Sequence, residues 1–163
     1  MKQLLVVYHS MTGAAEQLAR AAVAGASSEH GVDTRLLRAP DASSADVLAA
    51  DGYLFATPEN LASMAGLMKD FFDRIYYDAL DRVNGRPYAA LVAAGTDGAG
   101  AARQIQRIAT GLRLREVAPP TIVRNGAQTP EAIRAPKSVP PSDLALARDL
   151  GAGLAAGLAA GIF

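Results

Sequence analysis

The chain has 163 residues, 16 basic and 16 acidic side chains, no cysteine and no tryptophan. At this length one domain can bury roughly 68–70% of the surface that its unfolded chain exposes, and a hydrophobic content of 50% excludes a disordered chain. The absence of Cys excludes disulfides, a thiolate nucleophile and a thiolate metal site, and two histidines argue against a His-rich metal site. Balanced charge also argues against a nucleic-acid partner. We therefore expect one domain over residues 1–163, without a metal.

Short apolar runs alternate with stretches of helical periodicity along the chain. The pattern predicts five strands, over residues 4–8, 32–37, 52–57, 88–94 and 117–123. Pro58 is expected to close the third strand, and Pro119-Pro120 interrupt the start of the fifth. Residues 125–141 contain several prolines and no clear period, so they are interpreted as a loop.

Four helices are predicted between and after these strands, each with one apolar stripe. The first opens at Thr12-Gly13, two more cover residues 63–82 and 98–112, and Ser142-Asp143 caps the last. The expected stripes are Leu18, Ala22 and Ala26; Leu67, Phe71, Ile75 and Ala79; Ile105, Ile108 and Leu112; and Leu146, Leu150, Leu154 and Leu158.

The last helix ends in a small, apolar run with overlapping G-x-x-x-G spacings at Gly153, Gly157 and Gly161. The run is shorter than the roughly 20 residues that a spanning helix needs, so we expect no membrane insertion. Each helical Gly costs about 1 kcal/mol relative to Ala, and close packing against the sheet should compensate. No targeting segment is visible, and a cytoplasmic location is the expectation.

Strands that alternate with helices imply right-handed βαβ units and a parallel sheet covered on both faces. Five strands of this length fit the three-layer, doubly wound α/β fold with strand order 2-1-3-4-5. In such sheets ligands bind beyond the carboxyl ends of the strands, at the switch point between strands 1 and 3. Three loops follow strands at that end: loop 1 (residues 9–15), loop 2 (residues 57–66) and loop 3 (residues 94–100).

Loop 1 offers hydroxyls at Ser10 and Thr12 and backbone N–H groups at the start of a helix, where an anion is favoured. It contains no Lys or Arg, so a phosphate there would be held by neutral donors. The alternative is an ordinary turn with Thr12 as the helix N-cap. His9 could contact a ligand or serve only at the strand end. Glu59 and Asp97 could aim at a ligand or simply be solvated.

Together the three loops resemble the flavodoxin-like superfamily, nearest to the NAD(P)H-dependent FMN reductases and quinone reductases. That family has Ser-x-Thr-Gly-x-Thr/Ser after the first strand, matched by Ser10, Thr12 and Gly13. It also has Thr-Pro-Glu-Tyr-Asn-Gly-Ser-(apolar)-Pro-Gly, then two apolar residues and Lys. The matching residues are Thr57, Pro58, Glu59, Ser63, Gly66 and Lys69.

The resemblance implies that loop 1 holds the phosphate of FMN, loop 2 lines the ribityl chain and one ring edge, and loop 3 flanks the ring. The cofactor-binding residues so implied are Ser10, Met11, Thr12, Gly13, Ala14, Ala15, Thr57, Pro58, Glu59, Asn60, Leu61, Gly95, Thr96, Asp97 and Gly98. No protein residue is expected to be catalytic, since the flavin carries the redox chemistry.

The departures from the family pattern concern the same loops. Ala15 replaces the final hydroxyl of loop 1, and one lost charge-assisted hydrogen bond, worth roughly 1.5–3 kcal/mol, predicts FMN affinity weaker by one or two decades. Asn60 replaces the usual Tyr, and loop 3 has no aromatic residue.

The resemblance implies an oxidoreductase that passes electrons from NAD(P)H through FMN to a quinone, flavin or similar small acceptor. A homodimer or homotetramer is the implied assembly. One alternative is a flavodoxin-type electron carrier, although such carriers are strongly acidic and this chain is neutral. Another is a flavodoxin-fold interaction domain that has lost FMN, as Ala15 and Asn60 suggest.

Overall fold

The middle layer of the computed structural model, which describes residues 1–163, is a twisted sheet of seven strands. The strands are β1 (Lys2–Tyr8), β2 (Val32–Arg38), β3 (Gly52–Asn60), β4 (Ser63–Met64), β5 (Pro87–Ala94), β6 (Arg115–Glu116) and β7 (Thr121–Arg124). Strands β2, β1, β3 and β5 are parallel neighbours in that order, and both β6 and β7 pair with β5 at the edge. The predicted order 2-1-3-4-5 is thus confirmed, with the fifth strand divided in two.

Six helices cover the two faces of this sheet. They are α1 (Ala14–Ala26), α2 (Ser44–Ala49), α3 (Gly66–Ala79), α4 (Ala99–Gly111), α5 (Pro130–Arg134) and α6 (Pro141–Ala159). Leu4 and Val6 of β1 point into the core under α1 and α6, while Leu5 and Val7 point into the core under α2, α3 and α4. The alternating side chains of a strand buried on both faces explain the continuous apolar run, and the doubly wound, three-layer fold is confirmed. No helix combines the length and the hydrophobicity needed to cross a bilayer.

Two predicted strand boundaries are wrong. Pro58 does not close β3, because the strand continues to Asn60 and its last two residues form a hairpin with β4. Residues 117–123 do not form one strand, because Pro119 and Pro120 have no N–H to donate to the ladder. The edge strand is therefore split around them.

The helices also differ from the prediction in number and in bounds. Helix α3 begins at Gly66, because Ser63 and Met64 are used by the hairpin. Helix α6 begins at Pro141, so Ser142 and Asp143 lie inside its first turn and do not cap it. Helices α2 and α5 were not predicted; α5 falls in the segment interpreted as a loop.

Two of the predicted apolar stripes depart from the structure at their first residue only. Leu146 is 54% exposed and Leu67 is 43% exposed, while Ala147 and Met68 next to them are fully buried. In α6 the contact face is made of small side chains because the helix lies close to α1. Beyond the first turn both predicted stripes are confirmed, since Phe71, Ile75 and Ala79 of α3 and Leu154 and Leu158 of α6 are buried.

Candidate functional site

The three loops meet at the carboxyl end of the sheet and enclose a cleft of about 530 Å³. Its position beside the ends of β1 and β3 is the switch point expected for this topology. The volume falls within the range of roughly 300–1,000 Å³ that small-molecule sites occupy. Ala93 and Ala94, at the end of β5, also line it, and their small side chains leave the space open.

Loop 1 forms one end of the cleft and exposes a row of unpartnered amides. The backbone N–H groups of Met11, Thr12, Ala14, Ala15 and Glu16 make no hydrogen bond within the chain. The N-cap of α1 is Gly13, at φ 101°, and not Thr12, which corrects the capped-turn alternative. The Gly13 N–H donates to the Ser10 Oγ at 3.1 Å, and this leaves the Ser10 hydroxyl proton free. Loop 1 thus has the donor set of an anion site at a helix N-terminus.

Loop 2 is held against α4 by the side chain of Glu59. Its Oε1 accepts from the Gly98 N–H at 2.9 Å, and its Oε2 accepts from the Ala101 N–H at 3.1 Å. Although Glu59 lines the cleft, both of its oxygens are used to cap the N-terminus of α4. Neither expectation for Glu59, a ligand contact or a solvated carboxylate, matches this geometry.

The tip of loop 2 is a two-residue hairpin turn with an unusual backbone. Asn60 pairs with Ser63, and the central residues Leu61 and Ala62 have φ values of 51° and 62°. Two-residue hairpins favour positive φ at both positions and therefore Asn-Gly, the pair found in the family pattern. Here two residues with a Cβ occupy them, at a cost of roughly 1–2 kcal/mol per residue. Leu61 is also fully exposed, so burial does not offset this cost.

Replacing Leu61-Ala62 with Asn-Gly is expected to raise the free energy of unfolding by about 1–2 kcal/mol, because both residues adopt positive φ more readily. Urea denaturation followed by circular dichroism measures the change. Ala156→Gly, at an exposed position of α6, is the matched control and should lose about 1 kcal/mol. A loss of stability in both variants would contradict the strained turn.

Four of the predicted site residues do not line the cleft. Thr57 is fully buried, and its Oγ1 accepts from the Ala65 N–H at 3.2 Å. Asp97 Oδ1 accepts from the Ala99 N–H, and Gly13 and Gly98 are the left-handed N-caps of α1 and α4. These residues shape the loops. The other predicted residues line the cleft: Ser10, Met11, Thr12, Ala14, Ala15, Pro58, Glu59, Asn60, Leu61, Gly95 and Thr96.

A fourth wall, which the sequence analysis missed, comes from residues 125–140, hereafter the bridging segment. At its start the Gly126 N–H donates to the Gly95 carbonyl of loop 3 at 2.8 Å. At its end the Lys137 N–H donates to the Thr12 carbonyl of loop 1 at 2.8 Å. The segment therefore spans the cleft from loop 3 to loop 1.

Gln17 of α1 anchors the end of this segment. Its Nε2 donates to the Lys137 carbonyl at 2.8 Å, and its Oε1 accepts from the Val139 N–H at 3.0 Å. Helix α5 sits within the segment and starts with Thr129 as N-cap followed by Pro130. That Thr-Pro pair is a helix-start signal and could have revealed α5 from the sequence.

His9, at the carboxyl end of β1, is buried and does not line the cleft. Burial, with a contribution from the nearby Arg38 charge, lowers the pKa of its imidazole. A neutral, buried ring at the strand end corresponds to the structural alternative for this residue.

Known proteins share both the sequence pattern and the fold. The family model for NADPH-dependent FMN reductases matches residues 38–128. A flavodoxin from Aquifex aeolicus is 33% identical over 100 residues, which cover 61% of this chain and 54% of that protein. An NAD(P)H dehydrogenase (quinone) from Acidithiobacillus ferrooxidans is 34% identical over 45% of this chain and 47% of its own length.

The chain thus spans about half the length of the curated relatives that it matches. The crystal structure of a WrbA-like flavodoxin from Agrobacterium tumefaciens superimposes with a TM-score of 0.76 at 19% identity, covering 99% of both chains. That likeness bears on the fold alone. Because the family model covers more than half of the chain, including β3, β5 and loops 2 and 3, the chain belongs to the NADPH-dependent FMN reductase family.

Proposed function

We propose that this protein binds FMN in the cleft, with the phosphate at loop 1, and uses it to pass electrons from NAD(P)H to a small acceptor such as a quinone or a flavin. The observation that carries the proposal is the set of five unpartnered N–H groups between Met11 and Glu16, all except that of Gly13, beside the Ser10 and Thr12 hydroxyls. Neutral donors at a helix N-terminus suit a phosphate monoester, and no other feature of the fold needs them there.

The remaining walls also fit a flat, polar-edged ring. The N–H groups of Gly95 and Thr96 in loop 3 make no hydrogen bond within the chain and could donate to ring carbonyls. No aromatic side chain lines the cleft. Instead the exposed Met11 and Leu61 border it, and their thioether and aliphatic surfaces can pack against a ring face.

FMN would supply hydride and electron transfer, which no side chain in the cleft provides. The residues of this chain bind and orient. Loop 1 would fix the phosphate, Glu59 connects loop 2 to loop 3, and the bridging segment connects loop 3 to loop 1.

Fluorescence titration of the flavin-free protein with FMN tests the proposal, followed by NAD(P)H oxidation with a quinone present. We expect saturable binding at micromolar FMN and oxidation that requires both FMN and quinone. Thr12→Asp places a negative charge among the free amides and should abolish binding, whereas Thr110→Asp on α4 should not. Absence of binding by the unaltered protein would favour a fold that has lost its cofactor.

A flavodoxin-type electron carrier is the second candidate, and similarity to the Aquifex aeolicus flavodoxin favours it. The balanced charge of 16 basic and 16 acidic residues does not, because carriers use net negative charge to dock on basic partners. Tight FMN binding without NAD(P)H oxidation would reverse the ranking. A cytoplasmic location is the corresponding proposal for the compartment, and a homodimer or homotetramer, which the family resemblance implies, is the proposal for the assembly.

A further inference from the structure

The bridging segment carries two cations into the cleft, and they differ in what they already bind. Lys137 and Arg134 are the basic residues that line the cleft. The Lys137 ammonium donates to the carbonyls of Ala132, Ile133 and Ala135, at 2.8, 2.9 and 2.6 Å. All three of its protons are thereby used at the C-terminal end of α5, where carbonyl groups lack helical partners.

Arg134 is in the opposite situation. No hydrogen bond or ion pair within the chain involves its guanidinium, although the side chain borders the cleft. Salt bridges engage Arg20, Arg35, Arg74 and Arg113, and several other arginines have no partner, but Arg134 is the one arginine that lines the cleft. The only carboxylate lining the cleft, Glu59, is occupied by two amides of α4 and does not neutralise it.

The backbone places Arg134 on the loop 1 side of the segment. Three residues later the Lys137 N–H bonds to the Thr12 carbonyl, and Gln17 holds both Lys137 and Val139. Thr129 caps the start of α5, since its Oγ1 accepts from the Ala132 N–H at 3.2 Å, and Lys137 caps the end. The helix that ends at Arg134 is therefore fixed at both termini, so the cation is presented from an ordered element.

Loop 1 itself lacks a charge and lacks the hydroxyl that the family pattern has at Ala15. An anion among the five free amides of loop 1 and the first turn of α1 would be held by neutral donors alone. A guanidinium on the facing wall can form charge-assisted, bidentate hydrogen bonds to a phosphate.

We propose that Arg134 is a specificity-determining residue that pairs with the phosphate held at loop 1 and so replaces the donor lost at Ala15. The inference rests on the proposed function, because it assumes that FMN occupies the cleft. It adds that this chain distinguishes FMN from riboflavin with a residue outside the three loops.

The test compares FMN with riboflavin, which lacks the phosphate, by fluorescence titration of the full chain. Arg134→Gln should weaken FMN binding about tenfold and leave riboflavin binding unchanged, while Arg134→Lys should retain part of the difference. Arg107→Gln, on the exposed side of α4 and outside the cleft, removes the same charge and should change neither affinity. The FMN affinity of the unaltered protein should also fall more steeply with added salt than that of Arg134→Gln.

Each other outcome overturns the inference in a recognisable way. If Arg134→Gln weakens the binding of FMN and of riboflavin equally, the substitution has perturbed the bridging segment and the guanidinium does not recognise the phosphate. Unchanged FMN affinity with a raised KM for NADPH, but not for NADH, would assign the guanidinium to the electron donor. If the unaltered protein binds neither flavin, the proposed function itself fails.

Discussion

Replacing Gly151 with alanine is expected to lower the free energy of unfolding by about 3 kcal/mol, a large fraction of the stability of a domain of this size. Helices α1 and α6 approach each other backbone to backbone. A Cβ at Gly151 would overlap the carbonyl of Ala22, and a Cβ at Gly25 would overlap the carbonyl of Arg148. Backbone cannot rotate aside as a side chain can, so α6 would have to move away from α1 as a whole. That movement would also expose Leu154, which is buried between α6 and the sheet.

Gly153 provides the matched control two residues along the same helix. It is exposed, and a Cβ there would meet no atom within 4 Å. Gly153→Ala should therefore raise stability by about 0.5–1 kcal/mol through helix propensity alone. Urea denaturation of the two variants, with Gly25→Ala as the reciprocal change, measures the difference. Similar effects at positions 151 and 153 would show that the helix contact is looser than described.

This contrast also shows what glycine spacing can and cannot indicate. The G-x-x-x-G spacings suggested close packing at Gly153, Gly157 and Gly161, and α6 does pack closely. Of these three glycines, Gly157 is tightly packed, since a Cβ there would overlap the Phe163 ring, whereas Gly153 and Gly161 meet nothing. The backbone contact with α1 is at Gly151, outside the predicted spacing. Spacing reveals that a helix has small residues, but the face they form depends on where the partner helix lies.

The fold was predictable where hydrophobic periodicity is strong. The run Leu4 to Val7 predicts a strand buried on both faces, and the strand order followed from the alternation of elements. The short elements α2, α5 and β4 were not predicted. They have six, five and two residues, which are too few to show a hydrophobic period. They depend on local caps, such as the reciprocal Ser43–Asp46 pair, and on contacts with distant residues.

The site was predictable to the extent that sheet topology determines it. Parallel strands end at the same edge, so loops 1, 2 and 3 could be placed together from the sequence. The bridging segment could not, because its position depends on Gln17 and Lys137, which are separated by 120 residues. Residue type was also misleading for Glu59 and Asp97, whose carboxylates accept from amides at the start of α4.

Replacing Glu59 with alanine is the second change expected to have a large effect, a loss of about 2–3 kcal/mol in the free energy of unfolding. Glu59 makes two charge-assisted hydrogen bonds, to the amides of Gly98 and Ala101, and a carboxylate at a helix N-terminus is further favoured by the helix dipole. The variant would leave both amides without a partner. Glu59→Gln, which keeps one accepting oxygen, should lie between the variant and the unaltered protein.

Asp97→Ala is the control that distinguishes the contact between loop 2 and α4 from local capping of a helix. Asp97 also accepts from an amide of the same helix, Ala99, but its partner is two residues away and the side chain is exposed. Its loss should cost about 1 kcal/mol or less. In Glu59→Ala, and not in Asp97→Ala, amide hydrogen exchange should also accelerate at loop 2, because Glu59 joins that loop to α4 and Asp97 does not. Gln104 of α4, which accepts from the Met64 N–H at 2.7 Å, remains as the second connection. Equal losses in the two variants would contradict this role. If the role is as described, Glu59→Ala should also weaken FMN binding, because two walls of the cleft separate and not because a ligand contact is lost. The glutamate of the Thr-Pro-Glu motif is useful at this position because it holds those walls together.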